Sequence, residues 1–137
     1  MSDEVRYTHV PDADIPAKER RGGGASSQDV SGALGSTEMT LRLWNYGPGH
    51  EMAYHRHKNQ EEIYRLLAGG PQEITVDGET VTMNDGDWIR LPKDTPRRIQ
   101  NHTDRVASWL TVAAPYGEGI MDGIRLDPQT GEEIPRT

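Results

Sequence analysis

The chain has 137 residues, a formal charge of −7 from 22 acidic and 15 basic side chains, and neither Cys nor Phe. This length suits one domain with a modest core, and the missing Cys excludes disulfides and thiolate ligands, leaving His and carboxylate to hold any metal. The acidic balance argues against a phosphate-binding basic face, so no nucleic-acid partner is expected.

Met1 to Pro16 is polar and acidic, with no apolar stretch like that of a secretory leader, and no apolar run approaches the ~20 residues of a membrane span. A cytoplasmic protein without a membrane partner is expected. Lys18 to Thr37 (KERRGGGASSQDVSGALGST) is rich in Gly and Ser, so residues 1–37 read as a loop-rich arm.

From Glu38 the texture changes. Met39, Leu41 and Leu43 alternate with Thr40, Arg42 and Trp44, the period-2 pattern of a half-buried strand. Ile63 to Leu67 is the next apolar run. Ile74 and Val76, then Asp77-Gly78, then Val81 and Met83 predict a hairpin on a two-residue turn. Trp88 to Leu91, Arg97 to Gln100 and Val106 to Val112 follow as short strands. No stretch keeps a helical period for ten residues, so an all-β sandwich or closed barrel is expected over residues 38–117. Residues 118–137 form a polar, turn-rich tail that either folds back on the barrel or extends to a partner.

The chemistry concentrates in the segment from Gly49 to Glu62, GHEMAYHRHKNQEE. Residues two apart on a strand share a face, so His55 and His57 project together and Arg56 away. Two adjacent imidazoles are a ready metal chelate, and Glu62, opening the next apolar strand, supplies a third ligand. Parity puts Tyr64 and Leu66 on the same inner face, with Tyr64 the aromatic residue best placed for proton transfer. Glu61 reads as a solvated neighbour and Gln60 as part of the turn. His102 has the wrong parity to join His55 and His57, and His9 and His50 are expected in solvent. Tyr54 and Trp88 read as packing residues, Arg98 and Arg105 as surface charges.

This segment resembles the first motif of the cupin superfamily: Gly49, five residues, His55-x-His57, four residues, Glu62, six residues, Gly69. The second cupin motif is matched at Gly86, Pro92 and Asn101. The resemblance implies a double-stranded β-helix, a divalent metal ion (Fe, Mn, Zn or Ni) on His55, His57 and Glu62, and a homodimer. Two positions depart from it. Asp94 stands where the family has a turn glycine, and Arg97 where it has a third histidine ligand. A guanidinium cannot ligate a metal, so either a three-ligand site with open positions remains or the pocket is a degenerate metal site with a cationic wall. In either case Arg97 is expected to point inward and bind an anionic group.

Two functions follow. One is a metal-dependent enzyme of dioxygenase, isomerase or lyase type acting on a small anionic molecule. The other is a non-catalytic module that senses or stores a metabolite or metal.

Overall fold

The alternating segments fold as strands. The computed structural model describes residues 6–20, 23–116 and 122–135. Among them the strands are β1 (Ala17–Glu19), β2 (Ala25–Asp29), β3 (Thr40–Tyr46), β4 (His55–His57), β5 (Glu61–Ala68), β6 (Gln72–Val76), β7 (Glu79–Met83), β8 (Trp88–Leu91), β9 (Arg97–Gln100), β10 (Ala107–Ala114) and β11 (Gly123–Arg125), with a single turn of 3-10 helix (Asp12–Asp14) and one short α-helix, α1 (Val30–Leu34). One sheet runs β1-β2-β3-β10-β5-β8 and the other β11-β4-β9-β6-β7. From β3 onward the chain changes sheet at every step except the β6–β7 hairpin, which is the winding of a double-stranded β-helix. That hairpin turns on Asp77 and Gly78, both at positive φ, as a two-residue turn of this type requires. Among the described residues no helix is long and apolar enough to cross a membrane.

The core lies between the sheets. Leu66, Ile74, Leu91, Ile99 and Trp109 are fully buried, and each such aliphatic side chain contributes about 1.5–3 kcal/mol by leaving water. The inward face of β3 differs from a simple reading of its alternation. Trp44 and Tyr46 pack on the core, with Trp44 opposite Trp109, so Leu41 and Leu43 have the outward parity. Two ring-bearing side chains fill the barrel better than two leucines, and the Trp44 indole also donates to Thr111 Oγ1 at 3.2 Å.

The N-terminal stretch is not the loop its composition predicts. β2 pairs along β3 from Ala25↔Tyr46 to Asp29↔Arg42, β1 pairs with β2, and Asp29 caps α1 through a 2.9 Å bond from Gly32 N. Small polar residues hide this strand: Ala25 and Ser27 turn inward and are buried, without any apolar alternation to announce it. The tail folds back. β11 pairs antiparallel with β4. The barrel-to-tail boundary expected at 117–118 falls outside the described residues.

The spaced glycines and asparagine of the two motifs are structural. Gly69 sits at φ 88°, and a Cβ there would collide with the Val106 carbonyl oxygen. Asp94 adopts φ 65° in place of glycine, and its carboxylate is held by Arg56 at 2.9 Å. Buried Asn101 donates to the carbonyls of Tyr46, Gly47 and Arg105 at 2.7–3.1 Å and accepts from Thr103, tying two loops together.

Candidate metal centre

The centre is built across the two sheets. β4 carries His55 and His57, with Arg97 of β9 directly opposite His55. β5 of the facing sheet carries Glu62 and Tyr64. Strand parity brings each of these side chains to the barrel interior. One nitrogen or oxygen atom from each of His55, His57 and Glu62 lies within 4.8 Å of the others.

The imidazoles are oriented from behind. His55 Nδ1 lies 2.7 Å from the Ala53 carbonyl oxygen, which can only accept, so this nitrogen carries the proton. His57 Nδ1 lies 2.6 Å from Asp122 Oδ1. Both Nδ1 atoms are therefore committed, and the Nε2 atoms are left as the ligating pair. Fixing the far nitrogen of a ligating histidine is how proteins set its tautomer and basicity. With a carboxylate beside them, this donor set fits a divalent cation of the kind held by nitrogen and oxygen.

Glu62 is the hub. Its Oε1 accepts from the Tyr64 hydroxyl at 2.9 Å, and lies 3.3 Å from His57 Nε2 and 3.3 Å from Arg97 Nη2. No hydrogen bond reaches its Oε2 among the described residues. Arg97 has a side chain with no exposure at all. It reaches the Thr95 carbonyl through Nη1 at 2.9 Å and the Leu91 carbonyl through Nη2 at 3.5 Å, while its Nε has no partner. The inward direction expected of Arg97 is what the fold contains, and its partner is Glu62.

The electrostatics follow. Burial opposes the charged form of Glu62, but the hydrogen bond and charge of His57, the charge of Arg97 and the Tyr64 bond outweigh it and hold its pKa low. Burial likewise opposes a charged His57, yet Glu62 and Asp122 together raise its pKa above 6.5. His55 moves the other way: burial lowers its pKa, only partly offset by the Ala53 carbonyl. Tyr64 is pushed well above 10 by burial and then by the Glu62 charge. Its hydroxyl therefore stays protonated and donates to Glu62.

The remaining candidates lie elsewhere. Glu61 is exposed and pairs with Arg90 at 2.8 Å. Gln60 sits in the β4–β5 connection and donates to the Pro115 carbonyl. His102 is exposed and meets Glu51 at 3.1 Å, away from the metal set. Arg98 pairs with the same Glu51 at 3.5 Å, and Arg105 is exposed. His9 is in solvent, but His50 is half-buried and stacks on Tyr46 with 5.1 Å between centroids. Tyr54 is buried, whereas Trp88 is 57% exposed and carries the Arg65 guanidinium over its ring. The residue that sequence reading missed is Asp122. Nothing in a polar tail 65 positions from His57 marks it as a partner; only the return of β11 does.

With this geometry in place, likeness to known proteins becomes informative. Residues 42–113 match the profile of the family described as "Cupin domain". A protein described as "Polyketide synthase CurC" from Streptomyces cyaneus is 24% identical over 98% of this chain and 94% of its own length. Quercetin 2,3-dioxygenase of Bacillus subtilis is 35% identical over 49% of this chain, which spans only 20% of that enzyme. Among solved structures, a sugar phosphate isomerase from a cupin superfamily of Silicibacter pomeroyi superposes with a TM-score of 0.71 at 22% identity, covering 79% of this chain and 76% of that one. The polyketide cyclase RemF from Streptomyces resistomycificus gives 0.67 at 20% identity, over 77% and 78% of the two chains.

Proposed function

This chain belongs to the cupin family, and from that premise we propose that it is a metal-dependent enzyme acting on a small anionic molecule with neighbouring oxygen donors. The observation that carries this reading is the convergence of His55, His57 and Glu62 within 4.8 Å, with each imidazole tied through Nδ1. His55 and His57 would offer Nε2, and Glu62 its Oε2. Three protein ligands leave open coordination positions for substrate. A bound divalent metal would act as a Lewis acid on a carbonyl or hydroxyl oxygen.

The charges favour an anion. A divalent cation added to the buried set of Arg97, Glu62 and Asp122 leaves one net positive charge, which a carboxylate or enolate neutralises. The similar proteins named above point the same way: polyketides, quercetin and sugars all present adjacent oxygen donors. Tyr64 is not free to act as a base; it serves as the donor that orients Glu62. Arg97 supports the site as the buried cation that keeps Glu62 ionised. Pairing of two copies is supported by the exposed apolar side chains of Ile63, Leu67 and Trp88 on the larger sheet.

A second reading, a non-catalytic cavity without firm metal, is favoured by one observation: the 3.3 Å ion pair between Arg97 and Glu62 competes with the metal for the carboxylate. One experiment separates them. Malonate, a two-oxygen anion, is titrated calorimetrically into zinc-loaded and metal-stripped protein. Binding to the loaded form alone supports the metal reading. Equal binding to both forms, or failure of the protein to take up zinc, overturns it in favour of the second.

A further inference from the structure

We infer that Asp122, delivered by the returning C-terminal strand, sets the tautomer of His57, so that docking of the tail and competence of the metal site are one linked equilibrium. The functional half rests on the metal reading above; the positioning half stands on hydrogen bonds alone.

A neutral imidazole has one donor and one acceptor nitrogen, and an ionised carboxylate only accepts. His57 stands between two such acceptors, Asp122 Oδ1 at 2.6 Å from Nδ1 and Glu62 Oε1 at 3.3 Å from Nε2, and the shorter bond keeps the proton of the neutral imidazole on Nδ1 and leaves the lone pair on Nε2. The other oxygen, Oδ2, accepts from the backbone N–H groups of Asn59 at 2.8 Å and Gln60 at 3.0 Å. The carboxylate is thus fixed on both sides, toward the imidazole and toward the β4–β5 bend.

The strand that follows it lies against the site. β11 pairs Gly123 with His57 and Arg125 with His55. A Cβ built on Gly123 would stand 3.5 Å from His57 Cε1 and 4.0 Å from His55 Cδ2, so this backbone runs along both imidazole edges. Beyond β11, Leu126 donates its N–H to the Tyr54 carbonyl at 2.8 Å and buries its side chain, and Glu133 pairs with Arg56 at 2.6 Å. The two histidines differ in this respect. His55 is oriented by Ala53, two residues away; His57 is oriented by a residue from the far end of the chain. A metal on His57 Nε2 requires the Nδ1–H form that the docked tail enforces. Coupling of this kind is reciprocal: the metal must strengthen docking by the factor by which docking strengthens the metal.

The test is Asp122→Asn with zinc as probe. The two backbone N–H groups need an acceptor, so the Asn oxygen faces them and its NH2 faces His57 Nδ1. The imidazole proton then moves to Nε2, inside the ligand set. Zinc affinity is expected to fall about 10–100-fold, as for lost outer-shell partners, while amide exchange in Gly123–Arg125 of the metal-free variant stays close to that of the parent. The 15N shifts of metal-free His57, read at a pH above its titration, should switch from the Nδ1–H to the Nε2–H form, and Asp122→Glu should restore the first. Zinc should slow exchange of Ile124 and Arg125 in the parent protein and do so less in Asp122→Asn. An unchanged tautomer overturns the positioning role, and unchanged zinc affinity or zinc-independent exchange overturns the linkage. Failure of the parent to bind zinc sinks the metal reading itself and the linkage with it, and the tautomer measurement still decides the role of Asp122.

Discussion

The barrel interior has two ends built on the same strands, and they solve the problem of burial differently. Along β5 the inward residues run Glu62, Tyr64, Leu66, and along β9 they run Arg97, Ile99. Within two or four residues the interior passes from ionised to apolar. The apolar end, with Leu66, Ile74, Leu91 and Trp109, is self-sufficient because dispersion and water exclusion need no particular partner. The ionic end is not: each charge must find a counter-charge and a hydrogen bond, and breaking one pair strands the other. Its completeness depends on residues from both sheets and from the tail. Close packing alone suffices at one end, and pairing of charges is required at the other.

Substitutions at each end sharpen that contrast. The largest effect is expected on metal content. His55→Ala and His57→Ala should each reduce zinc affinity by more than the ~100-fold typical of outer-shell losses, whereas His102→Ala, paired with Glu51 outside the site, should leave it unchanged; metal analysis of the purified variants reads this directly. Metal loss that instead followed His102 would place the centre elsewhere.

At the apolar end, Leu66→Ala should cost about 2–5 kcal/mol in denaturant unfolding while the folded variant keeps its zinc affinity within a few-fold. A parallel collapse of metal binding would mean that the two ends are not separable.

Arg97→His should raise zinc affinity about tenfold or more, equivalent to ~1.4 kcal/mol, because it replaces a competing cation with a fourth ligand at a position opposite His55. The same variant should bind malonate more weakly, since a positive charge is lost. Calorimetry of both ligands checks the pair of outcomes; unchanged zinc affinity would show that this position does not reach the metal.

The smallest effect is that of pH. His57 has a folded-state pKa above its unfolded value near 6.5. Its contribution to the metal-free fold is therefore fully present below about pH 6.5 and is lost as pH rises through the raised value. Zinc affinity should climb over that same window as the proton leaves. His55, with its depressed pKa, adds the opposite slope on the acid side, where protonating it costs stability. Thermal midpoints of metal-free protein should fall gently across the alkaline limb while those of zinc-loaded protein do not. Parallel profiles for the two forms would remove His57 from the ligand set.

Much of this was legible in the chain. The short apolar runs became β3, β5, β6, β7, β8, β9 and β10, with Trp88–Leu91 and Arg97–Gln100 bounded as expected, and the Asp77-Gly78 turn formed the hairpin. His55 and His57 share a face because strand parity is a local rule, and parity likewise turns Glu62 inward on β5, where the facing of the two sheets brings it to them. The same rule set His102 aside and turned Arg97 inward. What alternation could not supply was anything that depends on which strands become neighbours. β2 was invisible because Ala25 and Ser27 are buried by pairing with β3 rather than by hydrophobicity. The inward turn of Trp44 and Tyr46 required knowing that Trp109 and Ala107 stand across from them on β10. Whether Arg97 would meet Glu62 was decided by the closing of the two sheets on each other, and that Asp122 would stand behind His57 by the return of the tail beside β4, since a hydrogen bond across 65 positions leaves no periodic trace in a sequence.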